Sequence, residues 1–239
     1  AGAAVAVYSG ELFGAAQPTG QTLALAGLKL LAPVRPGKVL ALWNNYLALA
    51  AKLGLADPAE PLYFMKAPSS CLDPEASIIA PPGQGKIVFE GELAIVIGRR
   101  AKAVSEAQAL EHVFGYTCCN DVTAAEVLNR DATFAQWVRA KSYDSFCPLG
   151  PCIATGLDPA TLVVKTWLDG QLRQNYPVAD IRFSVPRLVS LISHDMTLEP
   201  GDLILCGTSV GVGSMKPGQT VAVEIEGIGR LVNRFETAD

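Results

Sequence analysis

Histidine is almost missing from this chain: His112 and His194 are the only two in 239 residues. Both are expected at helix termini, so they make no catalytic case by themselves. The six cysteines form neither a C-x-x-C pair nor a compact disulfide framework, and they read as free, mostly buried thiols of a reducing cytoplasm. No apolar run reaches the roughly 20 residues that cross a bilayer. Basic clusters are absent and the net charge is -4, which argues against nucleic acid or an anionic membrane as partner. The glycine-rich GTSVGVG at 207–213 lacks both the lysine of a phosphate-binding loop and a G-x-G-x-x-G pattern. The opening AGAAVAVYSG has no positive leading region and soon meets Glu11, so a signal peptide is not expected. No internal repeat or low-complexity tract is visible.

What is present is core material. Half the residues are hydrophobic and 18% are charged, enough for a substantial core. Residues 3–8 and 11–16 alternate around Ser9-Gly10, and with 22–27 they predict a small N-terminal β unit over 1–36. Pro33 to Lys38 reads as a connector to a main domain over 37–239. There, Val39 to Trp43 predicts a strand, Asn45 to Leu53 a short helix ended by Gly54, and Asp73 to Gly85 a loop. Ser105 and Gln108 have the spacing of a capping box and predict a helix through about Val113, before a strand Phe114 to Asn120. Asp169-Gly170 marks a hairpin turn. Ser184 and Pro186 open a helix over Phe183 to Ile192, and Asp202 to Cys206 reads as a strand. A last hairpin turns around Gly227 to Gly229, with Val221, Val223 and Ile225 alternating toward the core.

The chain's chemistry concentrates between Ile87 and Asp121. In an extended strand Glu90 and Glu92 point one way, and Phe89, Leu93, Ile95 and Ile97 the other. Ala94 and Val96 continue the glutamate face, so the strand is expected to be covered on both sides. Two adjacent buried carboxylates disfavour each other unless a cation joins them. Asp121 closes the next apolar run as a third. An all-carboxylate set suits magnesium or manganese better than zinc or copper. On its own, Glu-x-Glu in a strand is more often a solvated or arginine-paired edge.

The words FEGELAIVIGR, GYTCCNDVTAAE, RAKSYDSFCPLGP, DGQLRQ, FSVPRLVSLIS, MTLEPGDLILCGTSVGVG and VEIEGIGRLVNR, in that order, resemble the fumarylacetoacetate hydrolase family over about residues 38 to 236. The resemblance is nearest to its homoprotocatechuate-pathway decarboxylase/isomerase branch. It implies an α+β, mainly β fold, a mixed β-sandwich or β-roll, usually as a homodimer. It also implies Mg2+ or Mn2+ on Glu90, Glu92 and Asp121, with Lys141 as the catalytic ammonium that offsets enolate charge. Thr208, Gln174, Gly207, Lys66 and Tyr46 match substrate-pocket positions, and Asp144 is expected either to accept a hydrogen bond from Lys141 or to cap the following turn. The implied activity is decarboxylation or isomerisation of a small 2-oxo acid of aromatic catabolism, with a second carboxylate, through a metal-bound enolate. Alternatives are a C-C hydrolase of fumarylacetoacetate or acylpyruvate type, and a non-catalytic binding or partner subunit.

Two departures from the family pattern weigh on that choice. A histidine-glutamate dyad often follows Asn-Tyr in relatives; here Asn45-Tyr46 is followed by Leu49 and Lys52, neither of which can serve as that general base. An arginine that grips the substrate carboxylate is replaced in Thr123-Ala124-Ala125-Glu126 by Ala125, leaving Arg130 and Arg139 as candidate substitutes.

Overall fold

The structure is a computed structural model and describes residues 3–238; residues 1, 2 and 239, at the outer ends of the two expected units, lie outside the described residues. Its main framework is a seven-stranded sheet packed against a five-stranded one. In spatial order the large sheet holds Leu62–Lys66, Val39–Trp43, Leu203–Leu205, Gly91–Ile97, Val113–Asn120, Cys147–Ala154 and Cys71–Leu72. The smaller sheet runs Gln171–Pro177, Val163–Leu168, Thr220–Ile225, Gly229–Thr237 and Ser77–Ala80. Among the described residues no helix is long and apolar enough to cross a membrane.

Strand alternation explains how the large sheet serves two cores. Leu93, Ile95 and Ile97 join Leu40, Leu42 and Ile204 on one face, against Val164, Val223 and Ile225 of the small sheet. The amphipathic helix Val185–Asp195 closes that layer with Leu188, Val189 and Ile192; the Ser184 hydroxyl caps it by accepting from the Arg187 amide at 3.4 Å. Ala94, Val96, Ala41, Leu203, Leu205, Cys119 and Cys147 line the opposite face, which therefore is also the face of Glu92. Both sides are covered, which agrees with the near-continuous apolar composition of Gly91–Ile97.

Several elements follow the sequence closely. Val39–Trp43 is a strand, and the helix Leu47–Leu53 ends at Gly54 in the left-handed region, at φ 64°. Asp169 and Gly170, both at positive φ, join Val163–Leu168 to Gln171–Pro177 as a hairpin. Others differ. Residues 11–16 turn rather than extend, with the Gly14 amide donating to Glu11 O at 3.0 Å, and the strand that pairs with Ala4–Ser9 is Gln17–Ala24. Ser105 donates to the Gln108 side chain instead of capping a backbone amide, and only the 3-10 turn Ala109–His112 forms before the strand starts at Val113. The expected loop 73–85 contains the strand Ser77–Ala80, recruited in parallel by the C-terminal strand and anchored by the fully buried Ile78.

Candidate active site

Glu90 is not inside a strand. The chain runs through Ile87–Phe89, in a three-stranded sheet with Thr123–Ala124 and Gly213–Ser214, then passes to the large sheet at Gly91; Glu90 occupies the crossing. The crossing is tight: a Cβ on Gly91 would meet Thr166 Oγ1 at 2.0 Å and Val223 Cγ2 at 3.2 Å. Asn120 Oδ1 accepts from the Glu90 amide at 2.9 Å, and the Asp121 amide donates to Glu90 O at 2.8 Å, so the break in one strand is tied to the end of its neighbour. Glu90, Glu92 and Asp121 are thereby gathered, one oxygen of each lying within 4.8 Å of the others.

Two ammonium groups complete the cluster, and both were expected from sequence only through the family resemblance. Lys141 Nζ lies 2.7 Å from Asp121 Oδ2 and 2.9 Å from Glu90 Oε2. Lys66 Nζ is 2.7 Å from Asp121 Oδ1 and also donates to the Lys141 carbonyl. The strand Leu62–Lys66 delivers the first-numbered lysine, while Lys141 ends the five-residue helix Trp137–Lys141. Their side chains are 0% and 3% exposed, whereas Glu90 keeps 16%, so the cluster opens on the Glu90 side.

Burial and charge set the proton affinities. Burial alone would raise Asp121, but Lys141 and Lys66 outweigh it and hold the carboxyl below its ordinary range. Burial opposes the charge on Lys141, yet Asp121, Glu90 and Glu92 push its pKa above the usual lysine value. Glu92 fares differently. It is fully buried and makes no ion pair among the described residues; Oε2 accepts the Gly207 amide at 2.8 Å while Oε1 has no partner among them. Desolvation first, then Asp121 and Glu90, raise its pKa well above the ordinary value.

Three carboxylates against two ammonium groups leave one negative charge in excess, and the deficit falls at Glu92. An oxygen-only donor set with an orphaned buried oxygen fits a hard divalent cation. The ammonium groups correct the simple expectation that a cation must be supplied from outside for all three acids: Asp121 and Glu90 are already paired, and Glu92 alone is not.

The remaining expected residues divide. Gln174 and Thr208 do meet at the cluster's edge: Gln174 Oε1 accepts from the Gly91 amide at 3.0 Å, and its Nε2 donates to Thr208 Oγ1 at 2.8 Å and Ser209 O at 3.0 Å. Thr208 in turn donates to Gly91 O at 3.1 Å. Gly207, at φ 88°, lets its amide approach Glu92. Tyr46 is 1% exposed, packs edge-on against Tyr176 at 4.8 Å, and has an unpartnered hydroxyl. Asp144 is exposed, and the carboxylates paired with Lys141 are Glu90 and Asp121 instead. Leu49 is half-buried against the main core and Lys52 is exposed. Arg130 and Arg139 are exposed, the former bonding Gln84.

Sequence reasoning missed Thr123, whose hydroxyl donates to Glu90 Oε1 at 2.7 Å, and Tyr176, whose hydroxyl donates to Gly91 O. Both lie two residues beyond a candidate, Asp121 and Gln174, and that spacing was the available signal.

Residues 38–236 match the family described as fumarylacetoacetate (FAA) hydrolase C-terminal, and residues 1–33 match Rv2993c-like, N-terminal. Protein Rv2993c of Mycobacterium tuberculosis is 43% identical over 224 residues, covering 92% of this chain and 83% of that one. The 4-hydroxyphenylacetate degradation bifunctional isomerase/decarboxylase of Salmonella dublin is 41% identical over 202 residues; the match takes in 83% of this chain but spans 47% of the longer protein. Among solved structures, 2-hydroxyhepta-2,4-diene-1,7-dioate isomerase from Mycobacterium marinum superposes with a TM-score of 0.90 at 40% identity, over 98% of this chain and 88% of its own. With a mainly β fold of this kind and a family match running from residue 38 to 236, the chain belongs to the fumarylacetoacetate hydrolase family.

Proposed function

We propose that this chain is a divalent-metal-dependent decarboxylase/isomerase of small 2-oxo acids, with Glu90, Glu92 and Asp121 holding Mg2+ or Mn2+. The observation that carries the reading is Glu92, a fully buried carboxylate with one oxygen unpaired and no ion pair among the described residues. When bound, the ion supplies Lewis-acid polarisation of the substrate's carboxylate and 2-oxo oxygens. Lys141 keeps its proton, because three carboxylates surround it, and its ammonium steadies negative charge as carbon dioxide leaves or a proton migrates. Lys66 pins Asp121 and the Lys141 carbonyl from behind. Gln174 and Thr208 fix the Gly91 peptide, and through it the angle at which Glu90 and Glu92 converge.

Leu49 and Lys52 favour this chemistry over hydrolysis. A half-buried leucine packed in the core cannot deprotonate water, whereas decarboxylation chiefly needs an electron sink. Relatives named isomerase/decarboxylase support the same reading and its place in aromatic catabolism. It carries with it a cytoplasmic homodimer, and sedimentation of the purified protein tests the dimer.

The deciding experiment incubates the protein with magnesium and a panel of 2-oxo acids and acylpyruvates. Released carbon dioxide or a shifted double bond is expected. A new pyruvate or acetoacetate fragment would instead assign a hydrolase, and tight binding without turnover a non-catalytic subunit.

A further inference from the structure

Lys141 has an aromatic neighbour. Its Nζ lies 5.3 Å from the centroid of Phe64, Phe64 stacks on Trp137 at 5.1 Å with planes 24° apart, and Trp137 meets Trp43 at 5.2 Å and 52°. The row has a local cause. Ala41 faces Phe64 and Trp43 faces Leu62 across an antiparallel pair, so Phe64 and Trp43 are diagonal neighbours on one sheet face, the same face as Lys66. Trp137 opens the short helix that ends in Lys141. All three rings stay half-buried, and Val138 and Leu62 beside them are exposed.

The buried polar groups that would receive a second substrate carboxylate are committed elsewhere. Lys66 and Lys141 are paired with Asp121 and Glu90. Both amide hydrogens of Gln174 go to Thr208 and Ser209, and the Thr208 hydroxyl donates to Gly91. Arg130 and Arg139 face solvent.

We propose that Phe64, Trp137 and Trp43 determine specificity by receiving a flat unsaturated or aryl tail of the 2-oxo acid, in preference to a tail that ends in a second carboxylate. This rests on the 2-oxo acid reading above and revises its expected diacid. A conjugated tail lies against the half-buried rings of Trp43 and Trp137, whereas a tail carboxylate beside them loses hydration and meets no unpaired buried ammonium.

Isothermal titration of the magnesium-loaded protein tests this with three ligands: pyruvate, 2-oxopent-3-enedioate and 2-oxo-4-phenylbut-3-enoate, the last two differing only in carboxylate against phenyl. The phenyl compound is expected to bind about tenfold tighter than the diacid, the size of one good aromatic contact. Trp43→Leu and Trp137→Leu are each expected to narrow that ratio about threefold or more. Tighter binding of the diacid, or a ratio that neither variant moves, would overturn the tail assignment while pyruvate binding left the head-group reading standing. Failure of all three ligands to bind would remove both.

Discussion

Replacing Glu92 by glutamine should make the ion-free protein more stable and the magnesium-loaded protein less so. Two unit charges at 4.8 Å, the outer limit of the triad spacing, repel by roughly 3.5 kcal/mol at an effective dielectric constant of 20. Glu92 faces two such neighbours, and Lys141 offsets part of the sum. A net relief of about 2 kcal/mol in Glu92→Gln is a reasonable magnitude, which raises Tm by roughly 4–8 °C for a chain of this size. Magnesium at a hundred times its Kd stabilises wild type by about 2.7 kcal/mol, and the variant, short of one charged ligand, should show little of that shift. Differential scanning calorimetry with and without magnesium therefore shows the order of the two proteins reversing.

The same variant carries a pH signature. The folded-state pKa of Glu92 is raised, so between its unfolded value and that higher value the folded protein binds more protons than the unfolded chain. Ion-free stability falls as pH rises through that window, and Glu92→Gln lacks the decline. Asp121, held low by its lysines, contributes in the opposite sense and at lower pH, below the Glu92 window, in both proteins. A variant that melts lower than wild type without magnesium, or that shows an undiminished magnesium shift, would refute the charge argument.

Lys66→Met takes one of two ammonium groups from a buried carboxylate. A loss of about 3 kcal/mol in ion-free stability is expected, partly recovered by magnesium, and chemical denaturation in both conditions measures it. Gln174→Ala leaves the Gly91 amide without its acceptor and should cost roughly 1–3 kcal/mol, with a fall in magnesium affinity read by titration calorimetry. Gly211→Ala places a Cβ 2.1 Å from Arg173 O at a φ of +103°, so the loop before Gly213–Ser214 must move. Reduced thermal stability and reduced turnover of the preferred 2-oxo acid are expected together, and a variant with wild-type Tm would contradict that geometry.

Local pattern was enough for much of this molecule. Alternation along Gly91–Ile97 and Thr220–Ile225 fixed which side chains enter the core, because the strand period is two wherever the partners lie. Asp169-Gly170 and Gly54 announced their turns through backbone freedom at single residues. Even the acidic trio was legible, since spacing within one segment keeps Glu90 near Glu92 and an ordered set of family words pointed to Asp121.

What tertiary structure alone decided is where distant charges meet. Lys66 and Lys141 are separated by 75 positions and arrive from a strand and a short helix, so no local rule predicts that both land on Asp121 and neither on Glu92. Ser77–Ala80 looks like loop from its proline and glycine flanks and becomes a strand because the C-terminal strand offers it a free edge. The capping signal at Ser105 yields no α-helix because the His112 carbonyl accepts the amides of Gly98 and Arg99 while the next strand begins at Val113. Propensity speaks for a few neighbouring residues; hydrogen bonds and ion pairs across the sheets are worth more, and they belong to the whole fold.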